Sequence, residues 1–395
     1  MTRGTMTGGA TAGCATAGGV MAGGATAGCA TAGGVMAGGA TTGTRQRSSR
    51  LRRLRLAILP LSGLLCIGAL PAQGGAAQGG AAQGGAAQAG AAQGACEDPP
   101  APVLDIIADR FYVDTASSIA DKAIIARNKN ALATLDATLT AILAMADKGM
   151  AGDRDSAVCA TRWLAIWARG GAMMGHMSSR QAEVERKWRT AGMAVGYLKI
   201  RAAADPADRA SIDAWFDTLA DRVVADQGWP EKRNNHVYWA GYAAGAAGTA
   251  TGTARHIAFS KRAYLAGLSD IRPDGTLPME LARRQKALEY HAYALAPLVM
   301  AAELAALRGE DWYALDNGAI HRLAARVLSG LRDPKAFAAL AREPSVDVPK
   351  GGLLGWLAFY RLRFPERVDG GPAGPFRYPW LGGNVTATAN AWVRR

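Results

Sequence analysis

Two stretches of this 395-residue chain carry the side chains best suited to chemistry. In LPMELARRQKALEYHAYALAPLVMAAELAAL (277–307), Arg283 and Tyr290 stand seven residues apart. On a helix that is nearly two turns, which puts both on one face about 10 Å apart. A guanidinium and a phenol pointing one way can hold an anion and a proton-transfer hydroxyl against the same substrate. Tyr293 sits one turn further along. In WPEKRNNHVYWAGYAAGAAG (229–248), Pro230 can end one helix and Asn234 or Asn235 can cap the next, placing His236 near a helix N-terminus. Each stretch also has a plain structural reading: a capping Asn before a packed His, and a surface Arg beside a core Tyr. His176, His236, His256, His291 and His321 are scattered, and neither HExxH nor CxxC occurs, so no metal and no cofactor is expected.

The elements that must position these residues read as helices. Apolar residues recur at three- and four-residue spacing over 128–147, 156–174, 180–204, 207–226, 236–260, 282–308 and 318–330. Breaks fall at 148–153, 204–206, 228–230, 272–275 and 333–334, each marked by Gly, Pro or Asp. Sustained alternation of apolar and polar residues is missing. Gly241, Ala244, Gly245 and Gly248 would let neighbouring helices approach closely. The stretch from Gly370 to Gly383 is crowded with Pro and Gly around Trp380 and reads as an irregular segment packed on the body. Antiparallel helical hairpins over about three hundred residues predict one all-α domain, 96–395, toroidal or solenoidal in form.

The first ninety-five residues read differently. A fifteen-residue unit at 9–23 recurs at 24–38 within a low-complexity stretch, 1–44, too poor in apolar volume to order itself. Met21 and Met36 fall at equivalent places in the two copies, and the true start is expected near Met36. Residues 45–72 join an Arg-rich head to the short apolar run LAILPLSGLLCIGAL, the pattern of a secretory signal peptide cleaved near Ala72. Leu65 before Cys66 is too large for a lipid-attachment box, so no stable membrane anchor is expected. Residues 73–95 repeat an uncharged AAQGG-like unit and read as a flexible spacer. The formal charge of +13 is concentrated here: beyond residue 95, 38 basic side chains face 32 acidic ones. That modest excess suits a polyanion, but no basic run or motif points to nucleic acid. Cys96 and Cys159 remain in the exported chain, and two cysteines in an oxidising compartment are expected to form one disulfide, here pinning the entry segment to a helix, with two unpaired thiols as the alternative.

The two chemical stretches also resemble a known family. KRNNH-Y-W followed by ELARR…AL-YH-YAL is similar to the poly(mannuronate) alginate lyases. NKNALATLDATL (128–139), WLAIWARGGAMMGHMSSRQAEVERKW (163–188) and GYLKIRAAADPADRASIDAWFDTLADRV (196–223) resemble the same family in the same order. The resemblance covers essentially all of 96–395. It implies an incomplete α/α toroid with a deep cleft, acting on the acidic polysaccharide alginate in the periplasm, without metal or organic cofactor. Carried over by position, its catalytic group falls on Asn235, His236, Arg283 and Tyr290. Gln181 and Trp188, with Trp239 and Tyr293, match or neighbour positions that line the sugar cleft. Val184 stands where the family pattern calls for an aromatic, and Arg284 and Lys286 give Arg283 basic neighbours.

The implied reaction is β-elimination. The C6 carboxylate of a uronate makes the C5 proton removable once its charge is neutralised, the role the resemblance gives to Asn235 and Arg283. In mannuronate the C5 hydrogen and O4 lie on one face of the ring, so Tyr290 could take the first proton and deliver it to the leaving oxygen. A free phenol has a pKa of about 10 and needs cationic neighbours to ionise, for which Arg283 and a protonated His236 are candidates. Alternatively His236 is the base and Tyr290 only the acid. Competing readings are a lyase for another uronate polymer, a hydrolase (for which no carboxylate pair stands out), and a non-catalytic scaffold in an alginate export complex.

Overall fold

The computed structural model describes residues 96–394; the stretches read as low-complexity sequence, export signal and spacer lie outside them. Among the described residues run thirteen α-helices: α1 Lys122–Ala131, α2 Ala133–Met150, α3 Arg154–Arg169, α4 Arg180–Ile200, α5 Pro206–Gln227, α6 Asn235–Thr251, α7 Ala254–Asp270, α8 Pro278–Leu281, α9 Ala287–Ala306, α10 Leu315–Arg332, α11 Pro334–Ala341, α12 Trp356–Arg363 and α13 Val385–Val393. The only β-ladder described joins β1 (Arg377–Tyr378) to β2 (Gly383–Asn384), antiparallel, with Arg377 opposite Asn384. None of the described helices is long and apolar enough to cross a membrane.

The five expected breaks all separate helices, and short polar side chains start several of the helices. Asp153 caps α3, Ser179 caps α4, Asp333 caps α11, and Asp205 accepts from the Ala207 and Asp208 N–H groups with Pro206 in the first turn of α5. Three expectations need correcting. The stretch 128–147 falls across two helices, α1 ending at Ala131 and α2 starting at Ala133. The stretch 236–260 is two helices, because Gly252 adopts a left-handed conformation (φ 79°) that ends α6. The stretch 282–308 is also interrupted: α9 begins only at Ala287, and Arg284 has φ 52°, so Arg283 lies in a turn and not on the helix of Tyr290. The spacing argument for that pair therefore fails, although the pair itself meets by another route.

The helices form two nested arcs. α4, α6 and α9 are buried almost all round, as expected of helices enclosed on every side. α4 packs on α2 and α6, α6 on α9, and α9 on α12. Outside them α3, α5, α7 and α10 each pack on an inner neighbour, and α3 on α5, α5 on α7 and α7 on α10 in turn. This is an incomplete α/α toroid. Small residues set the spacing: a side chain at Gly241 or Gly245 of α6 would run into Ala263 or Ser260 of α7. One at Gly192 of α4 would strike the Pro379 carbonyl, so that glycine seats the turn carrying Trp380. The hairpin β1–β2 lies against α2 and the 351–354 turn. Cys96 is disulfide-bonded to Cys159, joining the leading segment to α3, with Cα atoms 5.5 Å apart.

Candidate active site

The inner arc leaves a cleft of about 410 Å³ walled by several separate parts of the chain. The leading segment gives Arg110 and Tyr112; α4 gives Arg180, Gln181, Val184 and Trp188; α6 gives His236; Arg283, Tyr290 and Tyr293 come from the turn before α9 and from α9 itself. Tyr378 and Trp380 close the remaining side.

His236 is placed by the N-terminus of α6, where the Asn234 side chain accepts its N–H at 3.0 Å. Its Nδ1 has no protein partner. Burial, and then the cations Lys187, Arg283 and Arg180, hold the ring well below its ordinary range, so it is neutral near pH 7. A protonated His236 is therefore not what favours a phenolate here. Beneath it Lys187 donates to Gln227 Oε1 at 3.1 Å and to the His236 carbonyl at 3.2 Å. Burial lowers the Lys187 ammonium to about 7, with Arg180 adding to the effect.

Arg283 and Tyr290 come together because the chain reverses at Arg284. The Arg283 guanidinium carbon sits 4.7 Å from the Tyr290 ring centre, a cation–π contact. The Tyr290 and Tyr112 hydroxyls are hydrogen-bonded at 2.7 Å. Burial first, and then Tyr112, push the Tyr290 phenol well above its ordinary range, with Arg283 opposing. At rest Tyr290 is protonated. Arg284 is exposed and absent from the cleft wall, and Lys286 is engaged with Glu289 and Asp347, so Arg283 is the guanidinium of that basic run that faces the cleft.

Asn235 and Trp239 differ from expectation. Asn235 has no exposed surface; its backbone N–H and Nδ2 both donate to Glu280 Oε1, at 2.8 and 2.9 Å. It stands behind the wall and does not line it. Trp239 is likewise fully buried, its Nε1 donating to the Tyr293 carbonyl at 3.1 Å, so it supports the floor and cannot stack on a ligand in this state. Gln181, Trp188 and Tyr293 do line the cleft. The Gln181 Nε2 donates to Glu185 at 2.8 Å, and Glu185 is paired with Arg189 at 2.5 Å. A carboxylate accepts only, so the oxygen end of the Gln181 amide is the one left for a ligand. Trp188 stacks on Trp380 with ring centres 4.2 Å apart.

Tyr112 was not singled out in the sequence, and Trp380 was read only as part of an irregular segment packed on the body, with no place in the site. Tyr112 lies in a small hairpin closed by Asp114, which accepts from Ser118 N–H and Oγ and from Ile119 N–H, each at 2.8 Å. Gln285 Nε2 donates to the Ser118 carbonyl at 3.2 Å and docks that hairpin beside the cleft. Nothing periodic marks either residue. The one usable signal was the Pro/Gly-rich surround of Trp380.

Comparison with known proteins agrees with this architecture. The alginate lyase family model matches residues 107–337. A protein named polysaccharide lyase from Stenotrophomonas maltophilia is 43% identical over 317 residues, covering 76% of this chain and 92% of its own length. An alginate lyase of Azotobacter vinelandii is 35% identical over 257 residues, 61% of this chain and 67% of that protein. Among solved structures, alginate lyase A1-III from Sphingomonas species A1 aligns with a TM-score of 0.63 at 26% identity, covering 74% of this chain and 86% of that one. A variant of alginate lyase A1-III in complex with a tetrasaccharide aligns at 0.66, also at 26% identity and with the same coverage. With more than half of its length matched by the family model, the chain belongs to the alginate lyase family.

Proposed function

We propose that this alginate lyase cuts the 1,4-linkage of mannuronate by β-elimination, leaving a 4,5-unsaturated uronate end, with Arg283, Tyr290 and His236 at the reacting sugar. The observation that carries the reading is the contact of the Arg283 guanidinium with the Tyr290 ring, in a cleft that also holds a neutral His236. Arg283 neutralises the C6 carboxylate, with Asn235 directly behind it. Tyr290 is a phenol at rest and must first lose its proton, for which the neutral His236 in the same cleft serves as base. The phenolate takes the C5 proton, the electrons expel O4, and Tyr290 returns the proton to that oxygen. The imidazolium then gives its proton back. Mannuronate suits a single group doing both transfers because the two positions share one ring face.

The cations Arg110, Arg180 and Arg283 fit a polyanionic chain, and the Trp188–Trp380 pair, edged by Tyr293, offers aromatic surface to sugar rings. Export to the periplasm through the 45–72 signal belongs to the same proposal. A second reading, a lyase of wider uronate range, is favoured by the broader name of the 43%-identical relative.

The test is ultraviolet absorbance of residues 96–395 mixed with polymannuronate, polyguluronate and chondroitin, each with and without chelator. The unsaturated product absorbs where the substrates do not. A chelator-insensitive rise on polymannuronate alone supports the first reading, and comparable rises on several polymers replace it with the second. Flat traces on all three would refute both.

A further inference from the structure

Glu280 is a carboxylate with no exposed surface, and neither the sequence pattern nor the reaction above gives it a task. It nevertheless touches two of the four candidate catalytic residues. Oε1 accepts from the backbone N–H and the Nδ2 of Asn235, at 2.8 and 2.9 Å. Oε2 accepts no hydrogen bond and lies 3.4 Å from Arg283 Nε, an ion pair. The short helix that carries it is itself fixed from below: Leu277 N–H donates to His291 Nε2 at 2.9 Å, and His291 Nδ1 is bonded to the Ala287 carbonyl at 2.7 Å. Burying a carboxylate is costly unless its charge is met. Burial raises the Glu280 pKa while Arg283 first, and then the Asn235 donors, oppose the shift, so Arg283 is the cation that meets its charge.

We propose that Glu280 is a positioning residue that ties Arg283 to Asn235, anchored behind the cleft wall, and holds the inner edge of the guanidinium so that it stays aimed at the uronate carboxylate. Asn235 is the fixed point behind the wall, and Arg283, whose Nη1 also donates to the Ala116 carbonyl at 3.5 Å, is the member that lines the cleft. Two elements 45 residues apart in the chain are thereby registered to each other by one side chain. Without substrate, Glu280 also balances the Arg283 charge; when a uronate carboxylate arrives, the guanidinium lies between two anions, one fixed and one reacting. The inference rests on the reading that Arg283, backed by Asn235, neutralises the substrate carboxylate.

The experiment compares kcat and KM on polymannuronate for Glu280→Gln, Asn235→Ala and the double variant, with melting curves for each. A loss of alignment at a reacting centre is worth about 100-fold in rate. Glu280→Gln should lower kcat by about that factor with KM within about threefold. The double variant should be no more than about threefold slower than the worse single, because both changes dismantle one unit. Glu280→Gln with near-normal kcat beside an inactive Asn235→Ala would overturn the inference alone. An Asn235→Ala enzyme of normal activity would overturn the reading beneath it. Losses that multiply in the double variant would make Glu280 an independent structural residue and also refute the proposal. If Glu280→Gln does not fold, Glu280→Asp decides: it keeps the charge but withdraws it by one methylene, and should lose at least about tenfold in kcat, whereas normal kcat would contradict the positioning role.

Discussion

Replacing Lys187 by methionine tests whether the buried charges beneath the cleft set its working pH. Lys187 is 3% exposed, with its ammonium lowered to about 7 from an ordinary 10.5. That difference corresponds to about 5 kcal/mol of cost in holding the charge inside the fold. The folded value lies below the unfolded one, so the cost is present in full below about pH 7 and is relieved as pH rises towards 10.5. Methionine removes the cost together with two hydrogen bonds worth about 1 kcal/mol each, Gln227 Oε1 keeping an Arg180 donor at 3.4 Å. The variant should fold with a melting temperature at or above the parent's. Its pH profile should not stay put. In the acid range Lys187 is charged and helps keep His236 neutral, so removing it should raise the His236 pKa. At an effective dielectric near 20 a neighbouring charge of this kind is worth on the order of one pH unit. The assay is initial rate of double-bond absorbance on polymannuronate from pH 4 to 8. The parent should keep its kcat/KM below pH 6.5, and the acid limb of Lys187→Met should move up by about a unit. An acid limb in the same place in both proteins would refute the role given to neutral His236.

Other outcomes follow from individual contacts. Tyr112→Phe removes the hydroxyl bonded to Tyr290 at 2.7 Å, a bond worth about 1 kcal/mol, so kcat/KM on polymannuronate should fall about fivefold with no change in melting temperature; unchanged kinetics would separate Tyr112 from the reaction. His291 is buried and lowered to about 4, so the unfolded chain takes a proton that the folded chain refuses, and stability should drop by about 3 kcal/mol as pH falls from about 6.5 to 4. Urea titrations across that range check the trend, and an imidazole resonance titrating near 6.5 for His291 would contradict it. Opening the Cys96–Cys159 bridge, which spans 63 residues, should cost about 4 kcal/mol on the chain-entropy estimate. Equal melting temperatures with and without reductant would show that the hydrogen bonds of Glu97 and Pro100 to Trp163 and Trp167 suffice to hold the leading segment.

Much of the helical frame was legible because its boundaries carry local chemistry. Asp205–Pro206, Asp333–Pro334 and Asn234 announce helix starts in their side chains alone. The break at Gly252 was hidden among glycines that serve packing, since Gly241, Gly245 and Gly248 share its neighbourhood. The break at Arg283–Arg284 was hidden because a left-handed conformation there is taken by arginine, where glycine would have signalled it. The cleft was half legible. Gln181 and Trp188 were placed at the cleft by the family resemblance, and their seven-residue spacing on the regular helix α4 keeps them on one face. Tyr112 and Trp380 arrive on a hairpin and a turn whose docking depends on Gln285 and Gly192, partners far away in sequence. Burial was the other blind spot: residue type could not tell Trp239, enclosed under Tyr293, from Trp188, which faces the cleft.

Tyr290→Phe tests the central claim most directly, through two readings on one sample: binding of mannuronate oligomers, followed by tryptophan fluorescence at the Trp188–Trp380 pair, and formation of the unsaturated product. Phenylalanine keeps the ring beneath the Arg283 guanidinium and removes only the oxygen that moves protons. The account predicts that oligomers still bind while product formation falls by at least about a thousandfold, since one group serves both proton transfers and each is worth about 10²–10⁴. A variant that binds and still turns over within tenfold of the parent would contradict it and move the proton chemistry to another side chain.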